Sequence, residues 1–73
     1  MIKFYLSEDL KLLNKEEARE KVIKNGGVVR ENVTKDVWYF VTNSPEVDSE
    51  AFLEAKKLGV LFIDENEFIK MLK

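Results

Sequence analysis

The sequence predicts an α/β domain, with short apolar strands alternating with amphipathic helices around a mostly parallel sheet. Three observations carry this. The run VWYFV, residues 37–41, is apolar on both alternations, as a strand covered on both faces should be. VLFI, residues 60–63, is a second short and wholly apolar run. Around these runs lie charged stretches whose apolar residues recur at helical spacing and whose starts carry capping residues.

The elements follow in order. IKFYL, residues 2–6, is short, apolar and aromatic, and reads as the first strand. SEDLKLL is a loop with some helical character. Asn14 followed by Glu17 has the spacing of a capping box. The helix it opens carries Ala18, Val22 and Ile23 on its apolar side and ends at Gly26-Gly27. Gly26 suits the left-handed helix end, and Gly27 lets the chain turn tightly and pass close to a neighbouring element. Val28–Arg30 is a second strand, VTKD a turn, and 37–41 the third strand. Ser44-Pro45 offers one helix start, and Asp48 or Ser49 a later one. Phe52, Ala55 and Leu58 form that helix's apolar side, and Gly59 ends it. After the fourth strand, Asp64 and Glu67 repeat the capping spacing, and Phe68, Met71 and Leu72 turn inward from a last helix. The order is β-α-β-β-α-β-α. The link between the second and third strands is too short for a parallel crossover between neighbours, so these strands need not be adjacent.

Composition excludes several chemistries. The chain has 73 residues, enough for a single domain near the lower limit for a self-sufficient core. It has no cysteine and no histidine, which excludes disulfides, Cys/His zinc sites, thiol nucleophiles and histidine acid–base catalysis. No apolar run is long enough to span a membrane, and no signal peptide is visible at the N-terminus, so the expected compartment is the cytoplasm, or the nucleus in a eukaryote. Twelve basic residues stand against 14 acidic ones, a net charge of −2. A domain built mainly to grip phosphates is usually basic, although a local basic patch remains compatible with this balance.

The segments A…VIKNGGVV…NVTKDVWYFVT…EAKKLGVLFIDENEFIKML together resemble a BRCT domain, most closely the C-terminal BRCT domain of bacterial NAD-dependent DNA ligases. The resemblance covers nearly the whole chain. It implies a four-stranded parallel sheet ordered 2-1-3-4, flanked by three helices, with strands 2 and 3 on either side of strand 1. Phe68 stands where many members carry a tryptophan. Phosphate-binding members are implied to use a Ser or Thr at the end of the first strand, a following Gly, and a Lys near the start of the second helix. Ser7 matches the hydroxyl position. Glu8 replaces the Gly, and the Lys position falls on Ala51, with no lysine or arginine between Lys35 and Lys56. The resemblance therefore implies a degenerate pocket at Ser7.

Each candidate has a plainer reading beside it. Ser7 reads as a loop serine bonded to local backbone. Lys11, Lys15, Arg19, Lys21 and Lys24 are interleaved with Glu16, Glu17 and Glu20, which makes a solvated helix face. Lys56 and Lys57 complement a helix dipole. Trp38 and Tyr39 belong to the core of a central strand. The acidic residues fit helix starts better than a catalytic pair. The expectation is a non-catalytic interaction module of DNA replication or repair, needing no cofactor and no metal. It docks a protein partner or helps to hold a DNA-processing enzyme on DNA. Direct DNA binding, as in a ligase or clamp loader, is the alternative. A small α/β enzyme or receiver-like domain is the third reading, weakened by the missing histidine, cysteine and phosphate loop. Leu10, Leu12, Leu13 and Val47, if exposed, would favour a homodimer.

Overall fold

The computed structural model describes residues 1–44 and 49–72. Strands β1 (Lys3–Leu6), β2 (Val28–Arg30), β3 (Tyr39–Val41) and β4 (Leu61–Ile63) alternate with helices α1 (Lys15–Lys24), α2 (Glu50–Leu58) and α3 (Glu65–Met71). The sheet is parallel throughout and ordered β2-β1-β3-β4. Strands β2 and β3 flank β1, which resolves the short link between them.

Handedness then sets the layers. The step from β1 to β2 and the step from β3 to β4 run in opposite directions across the sheet. Parallel crossovers are right-handed, so α1 and α2 must cover opposite faces. The core divides accordingly. On one face Phe4, Leu6, Val41 and Ile63 pack with Ala18 and Val22 of α1 and Phe68 of α3. On the other, Phe40, Val37 and Val60 pack with Ala55 of α2, and Tyr5, Phe52 and Phe62 join from the margin. Aromatic rings pack within each half: Phe4 meets Phe68 edge-on at 5.3 Å between centroids on the first face, and Phe40 meets Phe62 in a tilted pair at 5.3 Å on the second.

Local chemistry fixes the helix ends. The capping box at Asn14 is complete in both directions: Glu17 N–H donates to Asn14 Oδ1 at 2.8 Å, and Asn14 N–H to Glu17 Oε1 at 3.3 Å. At the other end of α1, Gly27 N–H donates to the Val22 carbonyl at 2.9 Å and Gly26 N–H to the Ile23 carbonyl at 3.0 Å. This pair of bonds is a Schellman motif, with Gly26 at φ 80°. Gly27 has a different constraint. A Cβ there would lie 2.9 Å from Val22 Cγ1 and 3.1 Å from the Ile2 carbonyl oxygen. Ser49 starts α2, its hydroxyl accepting from Phe52 N–H at 3.1 Å, and Gly59 ends that helix. Pro45 and Asp48 lie outside the described residues.

Several expectations are corrected. The third strand begins at Tyr39, not Val37, so Trp38 sits at its mouth and is 54% exposed rather than in the core. Ile23 faces solvent because the buried stripe of α1 is only Ala18 and Val22 wide. Leu58 and Met71 are exposed at the last turns of their helices, and Leu61 is exposed because β4 is an edge strand. The β1–α1 loop has no helical turn; Leu10 and Leu13 fold back against the core, leaving Leu12 exposed. Val47 lies outside the described residues. No helix among the described residues is long and apolar enough to cross a membrane.

Candidate functional site

The loop after β1 leads to α1 on one face, and the chain after β3 leads to α2 on the other. Open parallel sheets form a crevice at such a switch point, beyond the carboxyl ends of the strands. Ser7 and Thr42 are the first residues past β1 and β3. Their backbones are held by the sheet: Ser7 N–H donates to the Val41 carbonyl at 3.0 Å, and Thr42 N–H to the Ile63 carbonyl at 2.9 Å.

A cavity of about 190 Å³ opens here, lined by Tyr5, Phe40 and Phe52, by Ser7, Glu8 and Asp9, by Thr42 and Ser44, and by Ser49 and Ala51. The fold thus brings Ser7 and Ala51, far apart in sequence, to one cavity. No lysine or arginine lines it among the described residues. The charged groups present are Glu8, which reaches away to Lys15 at 2.5 Å, and Asp9.

Asp9 occupies the hydrogen-bond donors of the crevice. The Ser7 hydroxyl donates to its Oδ1. Its Oδ2 accepts from the Thr42 hydroxyl at 2.9 Å and from Asn43 N–H at 3.1 Å. Burial pushes the Asp9 carboxyl up, but the bonds from Ser7, Thr42 and the Asn43 and Ser44 backbone together hold it below the usual carboxylate value. The donors that would meet an anion are turned onto an anion the chain already supplies.

A second carboxylate, unremarked in the sequence reading except as a helix-start acid, organises the same edge. Glu65, the first residue of α3, is 1% exposed. Its Oε1 accepts from Lys11 N–H at 2.8 Å and Asn43 Nδ2–H at 2.9 Å. Its Oε2 accepts from Leu12 N–H at 2.7 Å and Leu13 N–H at 2.8 Å. Asn43 completes the link, its Oδ1 accepting from Glu65 N–H at 3.2 Å and its Nδ2 donating to the Asp9 carbonyl at 3.2 Å. Burial raises the Glu65 carboxyl, and the four donors outweigh it, so the group is held in its charged form. The β1–α1 loop is thereby bolted to the ends of β3 and β4. No group of three or more His, Cys, Asp or Glu side chains that could hold a metal occurs among the described residues.

Comparison with known proteins accounts for this frame. Residues 2–72 match the family described as "BRCA1 C Terminus (BRCT) domain". The chain belongs to the BRCT family. Its similarity to curated proteins runs the same way. It is 39% identical over 70 residues to a DNA ligase of Coxiella burnetii (strain Dugway 5J108-111), a match covering 96% of this chain and 10% of that protein. It is 35% identical over 72 residues to a DNA ligase of Dehalococcoides mccartyi (strain ATCC BAA-2266 / KCTC 15142 / 195), covering 99% and 10%. A DNA ligase of Treponema denticola is 30% identical over 71 residues, covering 97% and 11%. The chain spans about a tenth of the length of these relatives. The parallel sheet with order 2-1-3-4 and three helices is the BRCT architecture expected from the sequence.

Proposed function

We propose that this BRCT chain is a non-catalytic interaction module of DNA replication or repair. It docks protein partners, or helps to hold a DNA-processing enzyme on DNA, without capturing a phosphate at Ser7. The observation that carries this reading is the crevice at the switch point. The Ser7 hydroxyl is spent on the ionised Asp9, Ala51 stands where a cation would be needed, and no other cation lines the cavity among the described residues. A phosphate placed there would meet a carboxylate, and a like charge at contact distance is repulsive. The relatives named DNA ligase support the association with DNA handling; their ligase activity belongs to proteins about ten times longer.

The test compares binding of oligonucleotides that differ only in a terminal 5′-phosphate, and of peptides that differ only in a phosphoserine. The phosphate should change affinity by no more than about twofold, and Ser7→Ala should leave every affinity unchanged within the same margin. Phosphate-dependent binding that disappears in Ser7→Ala would overturn the reading.

A further inference from the structure

The crevice that repels a phosphate keeps a shaped apolar interior. Three rings wall it: Tyr5 meets Phe40 at 4.8 Å between centroids, and Phe40 meets Phe52 edge-on at 6.4 Å. Tyr5 and Phe40 are paired across β1 and β3, so the sheet itself sets this wall. At about 190 Å³ the space is smaller than the roughly 300–1,000 Å³ of a site for a drug-sized ligand, and its scale is that of one long side chain.

The charge at its mouth has one sign. Asp9 accepts hydrogen bonds from the Ser7 and Thr42 hydroxyls and from Asn43 N–H, and each of these donors is neutral. Neutral donors hold a carboxylate in its charged form without cancelling the charge. A second cavity, of about 550 Å³, adjoins the first and shares Tyr5 and Ala51 with it. It adds Glu31, Glu50 and Glu54 against a single cation, Lys57. Glu8 is paired with Lys15 and Glu31 with Arg19. Asp9, Glu50 and Glu54 take part in no ion pair within 4.0 Å among the described residues. No lysine or arginine occurs between Lys35 and Lys56, so the segment joining β3 to α2 supplies no cation either. Helix-dipole complementation accounts for Glu50 alone. Lys56 is not among the residues lining the cavity, but its Nζ lies 5.8 Å from the Phe52 ring centroid, so one ring of the wall already carries a cation.

We infer that the crevice receives an arginine side chain of a partner protein. The guanidinium stacks on Tyr5, the ring both cavities share, and faces the Asp9 carboxylate. Neighbouring basic residues of the same segment lie along Glu50 and Glu54. Arginine suits the site better than lysine, because its planar head combines stacking on a ring with forked bonding to a carboxylate. This rests on reading the chain as an interaction module, and it names the partner's chemistry as a basic, arginine-bearing segment. Where phosphate-binding members are implied to take an anion, this chain takes a cation.

The test titrates the isotope-labelled chain at low salt with a hexapeptide of alternating arginine and alanine. Its control replaces each arginine by citrulline, which keeps the shape and loses the charge. The arginine peptide should shift the amide signals of Ser7, Asp9, Asn43 and Phe52, and the citrulline peptide should leave them in place. Affinity should fall as salt rises. Glu50→Gln/Glu54→Gln, at two exposed positions, should weaken binding about fivefold. Ala51→Lys, which sets an ammonium at the cavity wall, should weaken it about tenfold or more. Far-UV circular dichroism of both variants should match the parent. The inference is overturned if the citrulline peptide binds equally, if the shifts fall outside the two cavities, or if Ala51→Lys binds as the parent does. An arginine peptide that does not bind also overturns it; if phosphorylated and unphosphorylated probes are still treated alike, the interaction-module reading stands. Phosphate-dependent binding that is lost in Ser7→Ala would remove both.

Discussion

Glu65 shows how a single buried charge can be stabilising. A carboxylate removed from water is costly unless each oxygen is supplied with donors. Here three consecutive backbone N–H groups and one side-chain amide supply them. Glu65→Ala would leave the Lys11, Leu12 and Leu13 N–H groups without their acceptor, each at up to about 1–3 kcal/mol. We expect a loss of about 3–5 kcal/mol in urea unfolding, a large part of the stability of a domain this size. Little in the sequence distinguished this residue. DENEF offers three acidic side chains in four positions, and helix periodicity cannot say which is drawn inward. The decision is made by the β1–α1 loop, whose conformation follows from no local pattern. Trp38 eluded the same logic. An apolar run does not mark where its strand begins, and a shift of the start to Tyr39 moved the tryptophan from the interior to the rim.

Among the elements, legibility was greatest where backbone hydrogen bonding and side-chain chemistry coincide. The start of α1 and its end at the glycine pair were readable because a capping box and a Schellman motif each demand particular residues at fixed offsets. The two glycines have separate duties. Gly26 supplies a positive φ with open space around it, while Gly27 has an ordinary φ and no room. Gly27→Val should therefore cost more than Gly26→Asn, because Asn tolerates the left-handed conformation whereas no rotamer removes a Cβ clash with the Ile2 carbonyl. Thermal unfolding should show the first variant without a cooperative transition and the second with only a modest fall in midpoint. The strands were less legible at their ends. Each is three or four residues long, so an error of one residue is a large fraction of the element.

For the whole molecule, three carboxylates among the described residues are shifted in one direction, which gives stability a definite dependence on acid. Asp36 is lowered to about 2, chiefly by the Thr34 hydroxyl and further by Arg30 and Lys3. In Asp9 and Glu65, burial acts upward and the hydrogen bonds prevail, so both are also lowered. A carboxylate whose folded pKa lies below its unfolded value stabilises the fold fully above the unfolded value and loses that contribution as pH falls towards the folded one. Urea midpoints should therefore be flat from about pH 7 to about pH 5 and fall steeply below about pH 4. Glu65→Gln should be less stable at neutral pH and show a shallower acid slope; an equal slope would remove Glu65 from the cause.

The return of every helix against a parallel sheet has a further effect. Glu16, Glu17, Glu50 and Glu67 lie in first turns, and the lysines lie in last turns. A net charge of −2 therefore describes the molecule poorly. Along each helix charge is sorted instead, acidic residues in the first turn and lysines in the last, so the side chains oppose the backbone dipole of their own helix, a complementation that added salt would screen in all three helices at once.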